Sequence, residues 1–127
     1  MTKLTDEYSK EVKERWGDTE AYRQSVERIK NWTKEDYEKI KDDQEKLLKK
    51  IVKSMEKGFK SSDIQNLIGE WRIGIEKFYD TTPQICRDLA SLYVEDERFS
   101  SFYRKHHKDL PEFMRDAINY YCDESYK

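Results

Sequence analysis

Phe78-Tyr-Asp-Thr-Thr-Pro-Gln-Ile-Cys-Arg-Asp-Leu-Ala-Ser-Leu-Tyr-Val-Glu-Asp-Glu-Arg-Phe99 is the most apolar and most punctuated part of this chain. A helical apolar face, Ile64, Leu67, Ile68, Trp71 and Ile75, runs into Phe78 and Tyr79. Its i, i+3, i+4, i+7 spacing is that of one side of an α-helix. Thr82-Pro83 then reads as an N-cap followed by proline at the first helical position, where the missing N–H costs nothing. Ile85, Leu89, Leu92 and Tyr93 form the next face, and Asp96 is placed to cap a short helix that sends Phe99 into the core.

Outward from this segment the same grammar repeats. Ser62-Asp-Ile-Gln65 and Thr33-Lys-Glu-Asp36 have the shape of capping boxes. The helix opened by Thr33 is expected to reach about Lys57 and stop at Gly58, a residue suited to positive φ. Pro111 marks another helix start, ahead of Phe113, Met114, Ala117, Ile118 and Tyr121. On the N-terminal side, Thr5–Trp16 and Thr19–Lys30 read as helices with narrow stripes: Tyr8, Val12 and Trp16, then Tyr22, Val26 and Ile29. Gly69 and Gly74 interrupt the Ile64–Tyr79 helix and are expected to mark close approach by another helix or a ligand. Seven helices, no alternating strand pattern, four glycines and two prolines make the expected class all-α.

At 127 residues the chain is read as a single domain, 1–127, in two regions. Residues 1–60 carry 30 of the 52 charged side chains and read as a charged helical lid region. Residues 61–127 read as the apolar core that forms a cleft. The charged fraction is 41% but the net charge only −2, which argues against nucleic-acid binding by this chain alone. With no long apolar run and no signal-peptide core, the expectation is a soluble, cytoplasmic protein without a membrane partner. Cys86 and Cys122 form no C-x-x-C pair and read as reduced thiols.

Catalytic and metal signatures do not emerge. His106 and His107 are adjacent, so on a helix they point about 100° apart and do not share a metal. Asp42-Asp43 lies in a charged helix face, where solvation is the ordinary explanation. No phosphate loop, H-E-x-x-H or G-x-S-x-G is present, and no enzyme, cofactor or metal is expected. Cys86 is the candidate reactive thiol: it lies at the start of a helix, beside Arg87, where the helix dipole and a cation favour thiolate. The nine tyrosines and three tryptophans exceed what a small core needs, and their polar tips suit a rim or pocket. Trp71, Ile75, Phe78, Tyr79, Tyr93, Phe99, Met114 and Tyr121 are the candidate ligand-lining residues, between the Ile64–Tyr79, Pro83–Val94 and last helices. The rival class is a protein-interaction module docking through its charged N-terminal helices, with Trp16 and Trp32 as anchors.

Several motifs in register resemble one family. Tyr8-Ser-Lys-Glu, Arg15-Trp-Gly-Asp-Thr-Glu-Ala-Tyr22, Trp32-Thr-Lys-Glu-Asp-Tyr37, Phe78-Tyr-Asp80, Leu92-Tyr-Val and Asp96-Glu-Arg-Phe99 look like the TipAS antibiotic-recognition domain, over almost the whole chain. The resemblance implies a globin-like α fold whose cleft binds large, mostly apolar antibiotics such as thiopeptides. It also implies an effector role in MerR-type transcription activators, or a stand-alone drug-binding one. It further implies that the N-terminal helices order on ligand, which makes Trp16, Tyr22 and Trp32 candidate lid residues. The family often has cysteine after its Tyr-Asp pair, where this chain has Thr81. Covalent capture, by cysteine attack on a dehydroalanine, is therefore assigned to no residue. Two glycines usual before the last helix are replaced by His107 and Asp109. No winged helix precedes Met1, so the expectation is a stand-alone binder or an excised effector domain.

Overall fold

A computed structural model describes residues 19–125, the side chain of Ala21 excepted. The expected helix Thr5–Trp16, and Trp16 with it, lies outside the described residues. Among those residues the fold is all-α, with no strand. Its helices are α1 (Glu20–Ile29), α2 (Lys34–Ser54), α3 (Ser62–Ile75), α4 (Pro83–Glu95), α5 (Glu97–Arg104) and α6 (Leu110–Glu124). A single 3₁₀ turn, Met55–Lys57, follows α2, and Gly58 ends it with φ +90. That backbone region is cheap only for glycine.

Capping chemistry sets most of the boundaries. The Thr19 side chain accepts from Tyr22 N–H at 3.1 Å and opens α1. At α2 the capping box is complete: Thr33 Oγ1 accepts from Asp36 N–H, and Asp36 accepts from Thr33 N–H. Thr82 caps α4 through Ile85 N–H at 3.1 Å, with Pro83 in the first turn. Asp96 caps α5 by accepting from Arg98 N–H at 2.9 Å.

Helix α3 departs from expectation at both ends. Its cap is Ser61, whose hydroxyl accepts from Ile64 N–H at 3.3 Å and donates to Gly58 O at 2.8 Å. Gln65, expected to close a capping box from Ser62, instead donates across the fold to Phe59 O and Ala117 O. At the other end α3 stops at Ile75, and Glu76–Tyr79 unwinds into turns.

The core gathers where α3, α4 and α6 meet, with α5 against α4 and α6 and the rear half of α2 against α3. Ile64, Ile68, Leu110, Met114 and Ile118 are fully buried; such a side chain contributes about 1.5–3 kcal/mol. Leu48 and Ile51 belong to the same core. The rear half of α2 is thus part of the core, although the sequence grouped it with the charged residues 1–60. Lys34–Lys39, by contrast, is exposed along its whole length.

Of the two readings of the α3 glycines, close approach by another helix does not hold among the described residues: a Cβ on Gly74 would meet none of their atoms within 4 Å, and one on Gly69 would meet only the Tyr121 ring edge at 4.0 Å.

Candidate ligand site

The unwound turn between α3 and α4 is where the side chains of four elements converge. Glu76 organises it. Its carboxylate accepts from Thr81 Oγ1 at 2.8 Å and Thr81 N–H at 3.4 Å, and lies 3.5 Å from Arg72 Nε. Arg72 also donates to Tyr121 Oη at 3.4 Å, which ties α3 to α6. From the other side α1 clasps the turn. Arg28 donates to Glu76 O at 2.9 Å and pairs with Asp80 at 2.7 Å, while Asp80 N–H donates to Gln24 Oε1 at 2.8 Å. These partners are far apart in sequence, and no local pattern announces them.

Above the turn stands an aromatic wall. Trp32 packs edge-on against Tyr37 at 5.3 Å and Phe78 at 5.1 Å between ring centroids. Lys77 approaches Asp43 at 4.0 Å and brings the front of α2 to the same turn. Among the described residues three large apolar side chains are exposed: Val26 on α1, Tyr37 on α2 and Ile73 on α3. Ile73 lies off the Ile64–Ile75 stripe, and that misfit is a signal which sequence reasoning passed over. Tyr79 is half-buried beside Cys86, and burial pushes its phenol up to about 12.

The eight expected lining residues divide in two. Ile75, Phe78, Tyr79, Phe99 and Tyr121 keep part of their surface. Trp71, Tyr93 and Met114 do not: they are 4%, 3% and 0% exposed and belong to the closed core. Trp71 Nε1–H donates to Tyr93 Oη at 3.1 Å, so each polar tip finds its partner inside. Tyr93 also packs against Phe99 at 5.4 Å and Tyr103 at 4.7 Å. These aromatics fill a core in which their polar tips are matched. Of the lid residues, Tyr22 is half-buried on α1 and Trp32 joins the wall.

The structure places the candidate reactive thiol inside the core. Cys86 is fully buried, with Cys122 as its neighbour, and burial pushes its thiol up to about 12. Arg87 does not serve it; the guanidinium reaches across to Asp123 on α6. Desolvation disfavours thiolate more than the helix start favours it. Among the described residues no group of three or more His, Cys, Asp or Glu side chains is placed to hold a metal.

An all-α domain closed around an aromatic core, with a clasped turn and an aromatic wall on one side, is the class this architecture defines. The chain belongs to the TipAS antibiotic-recognition domain family, whose sequence profile matches residues 8–121. It is 38% identical over 116 residues to the HTH-type transcriptional activator TipA of Streptomyces coelicolor, covering 89% of this chain and 46% of that protein. It is 30% identical over 117 residues to the HTH-type transcriptional activator mta of Bacillus subtilis, covering 91% and 45%. The chain thus spans under half the length of these relatives. Among solved structures it is similar to TipAS of Streptomyces lividans in complex with nosiheptide. The TM-score there is 0.84 at 36% identity, over 93% of this chain and 85% of the other.

Proposed function

We propose that this chain binds large, mostly apolar antibiotic-like molecules of the thiopeptide kind. It acts either as the sensing half of a MerR-type transcription activator or as a stand-alone drug sequesterer. The observation that carries this reading is the match along nearly the whole chain to a domain solved with nosiheptide bound. The site is the turn Glu76–Thr81 with its aromatic wall. Phe78, Tyr79, Ile75, Tyr121 and Trp32 contact the ligand, joined by the exposed Ile73 and Val26. Tyr22 rides on α1, which closes over the molecule as part of a lid. The protein works in the cytoplasm and by binding rather than turnover. Position 81 carries a threonine hydroxyl, not a thiol, and Cys86 is buried in the core, so capture is non-covalent.

A thermal-shift screen against thiopeptides tests the reading. A ligand at 100 times its dissociation constant stabilises the folded state by about 2.7 kcal/mol. Intact mass after incubation should equal that of the unmodified chain. No shift with any thiopeptide, but one with a protein partner, would favour the interaction-module alternative.

A further inference from the structure

The net charge of −2 conceals a segregated one. Positions 46–60 hold six lysines, Lys46, Lys49, Lys50, Lys53, Lys57 and Lys60, against one carboxylate, Glu56. Lys46 and Lys57 are engaged by Asp42 and Asp63, and Lys60 lies over the Phe59 and Tyr120 rings. Lys49, Lys50 and Lys53 are exposed and have no carboxylate partner among the described residues. The front half of α2 differs: Lys34 and Lys39 are answered one turn on by Glu38 and Asp43.

Lys50 and Lys53 also line an open groove of about 320 Å³ between α2 and α3, with Ser54 and Asn66 as neutral hydrogen-bonding groups over Leu67. Asp63, on the rim of this groove, is tied to Lys57. Like charges one turn apart repel, and among the described residues no carboxylate pairs with these three. Lys49 to Lys53 spans about 6 Å of helix axis at 1.5 Å per residue, and three long lysine side chains on it can each meet one phosphate of a strand that carries them about every 3.4 Å along the duplex.

We propose that this lysine face is a contact for the sugar-phosphate backbone of duplex DNA. The proposal rests on the functional reading above in one respect, that a sensing domain of a helix-turn-helix activator works within reach of a duplex. Net charge is a poor guide here, because screening over about 8 Å lets a partner meet the local patch and not the sum over the chain. The contact carries no sequence information; it adds affinity to whatever reads the bases.

Fluorescence anisotropy of a labelled duplex with the 127-residue chain tests it. For three phosphates the slope of log K against log salt is about −2.7, so raising salt from about 50 to about 200 mM weakens binding about 40-fold. Lys50→Glu with Lys53→Glu removes binding. Lys34→Glu with Lys41→Glu, the same charge change at the front of α2, leaves it intact. If the first pair unfolds by circular dichroism, Lys50→Gln with Lys53→Gln decides, and should flatten the slope by about 1.8. No binding at about 50 mM salt, an equal loss in both glutamate pairs, or an unchanged slope in the glutamine pair overturns the proposal. So does binding to phosphatidylserine vesicles without binding to the duplex. The thermal shift by thiopeptide is read on the same variants. A shift that persists when DNA binding is lost keeps the two functions separate. Absence of a shift in the unaltered chain removes the drug-binding reading and leaves the anisotropy result to stand alone.

Discussion

Cys86 and Cys122 lie side by side where α4 meets α6, both free and both buried, and Cys122 donates weakly to Pro83 O at 3.7 Å. Burial pushes the Cys86 thiol up to about 12, so the thiol form dominates at pH 7. Neither thiol should be alkylated by iodoacetamide in the native protein at neutral pH, and both should react once it is unfolded. Rapid native labelling of Cys86 alone would contradict the packing described. Position along a helix was readable from sequence; depth was not, because depth depends on which face α6 covers. Asp96 is the opposite case, since a cap is local and its residues are neighbours. Its carboxyl is held below the usual 3.8 by Arg98, and Arg98 N–H adds a backbone bond to it. A lowered folded value means the contribution is complete above the unfolded value of 3.8 and is lost as pH falls through the folded one. Asp96→Ala should cost about 1 kcal/mol at neutral pH. Asp96→Asn keeps the cap and should cost less, and its urea-measured stability should fall less steeply in acid than that of the unaltered chain. Identical acid profiles would remove Asp96 as a source of the dependence.

At the scale of elements, caps and stripes made the helices legible. Thr33, Thr82 and Asp96 each open a helix where the sequence placed a cap, and Thr19 caps the helix expected to begin there. The exception is α3, where Ser61 displaces Ser62 because Gly58 lets the chain turn back and the Ser61 hydroxyl bonds both the turn and the helix. The glycines of α3 were misread for a related reason: propensity reports the cost of a glycine but not what stands opposite it. Since a Cβ on Gly69 would lie 4.0 Å from the Tyr121 ring and lose no backbone freedom that the fold uses, the helix should gain from one. Gly69→Ala is expected to stabilise by up to about 1 kcal/mol, a rise of about 4 °C in Tm. A lower Tm would mean that Tyr121 cannot yield, and that its bond to Arg72 is disturbed.

On the scale of the whole molecule, the site is less legible than the fold because it is built from contacts between distant segments. Arg28 meets Glu76 and Asp80, Gln24 meets Asp80, and Trp32 meets Phe78. The sequence supplied Phe78, Tyr79 and Trp32 through their aromatic character, while nothing local supplied the clasp. The same contacts bear on the lid. α1 buries no side chain fully among those described, and its clasp is polar and solvent-facing, with Asp80 70% exposed. Exposed ion pairs of this kind contribute about 0.2–1 kcal/mol each, against roughly 1–2 kcal/mol to fix each backbone residue. α1 is therefore the weakly held element and α3, with Ile64, Ile68 and Trp71 in the core, the firmly held one. In hydrogen exchange, amides of 20–29 should exchange far faster than those of 64–71 in the free protein. Arg28→Ala should speed the first set further while leaving the second, and the global unfolding midpoint, nearly unchanged. A thiopeptide seated on the wall would give Tyr22 and Val26 an apolar surface to cover, so protection should rise more in α1 than in α3. Such coupled ordering consumes roughly 2–5 kcal/mol of the binding energy, so Arg28→Ala should also weaken binding, through a larger ordering cost. If α1 is already as protected as α3 without ligand, or if Arg28→Ala changes neither exchange nor affinity, α1 is a fixed wall and not a lid.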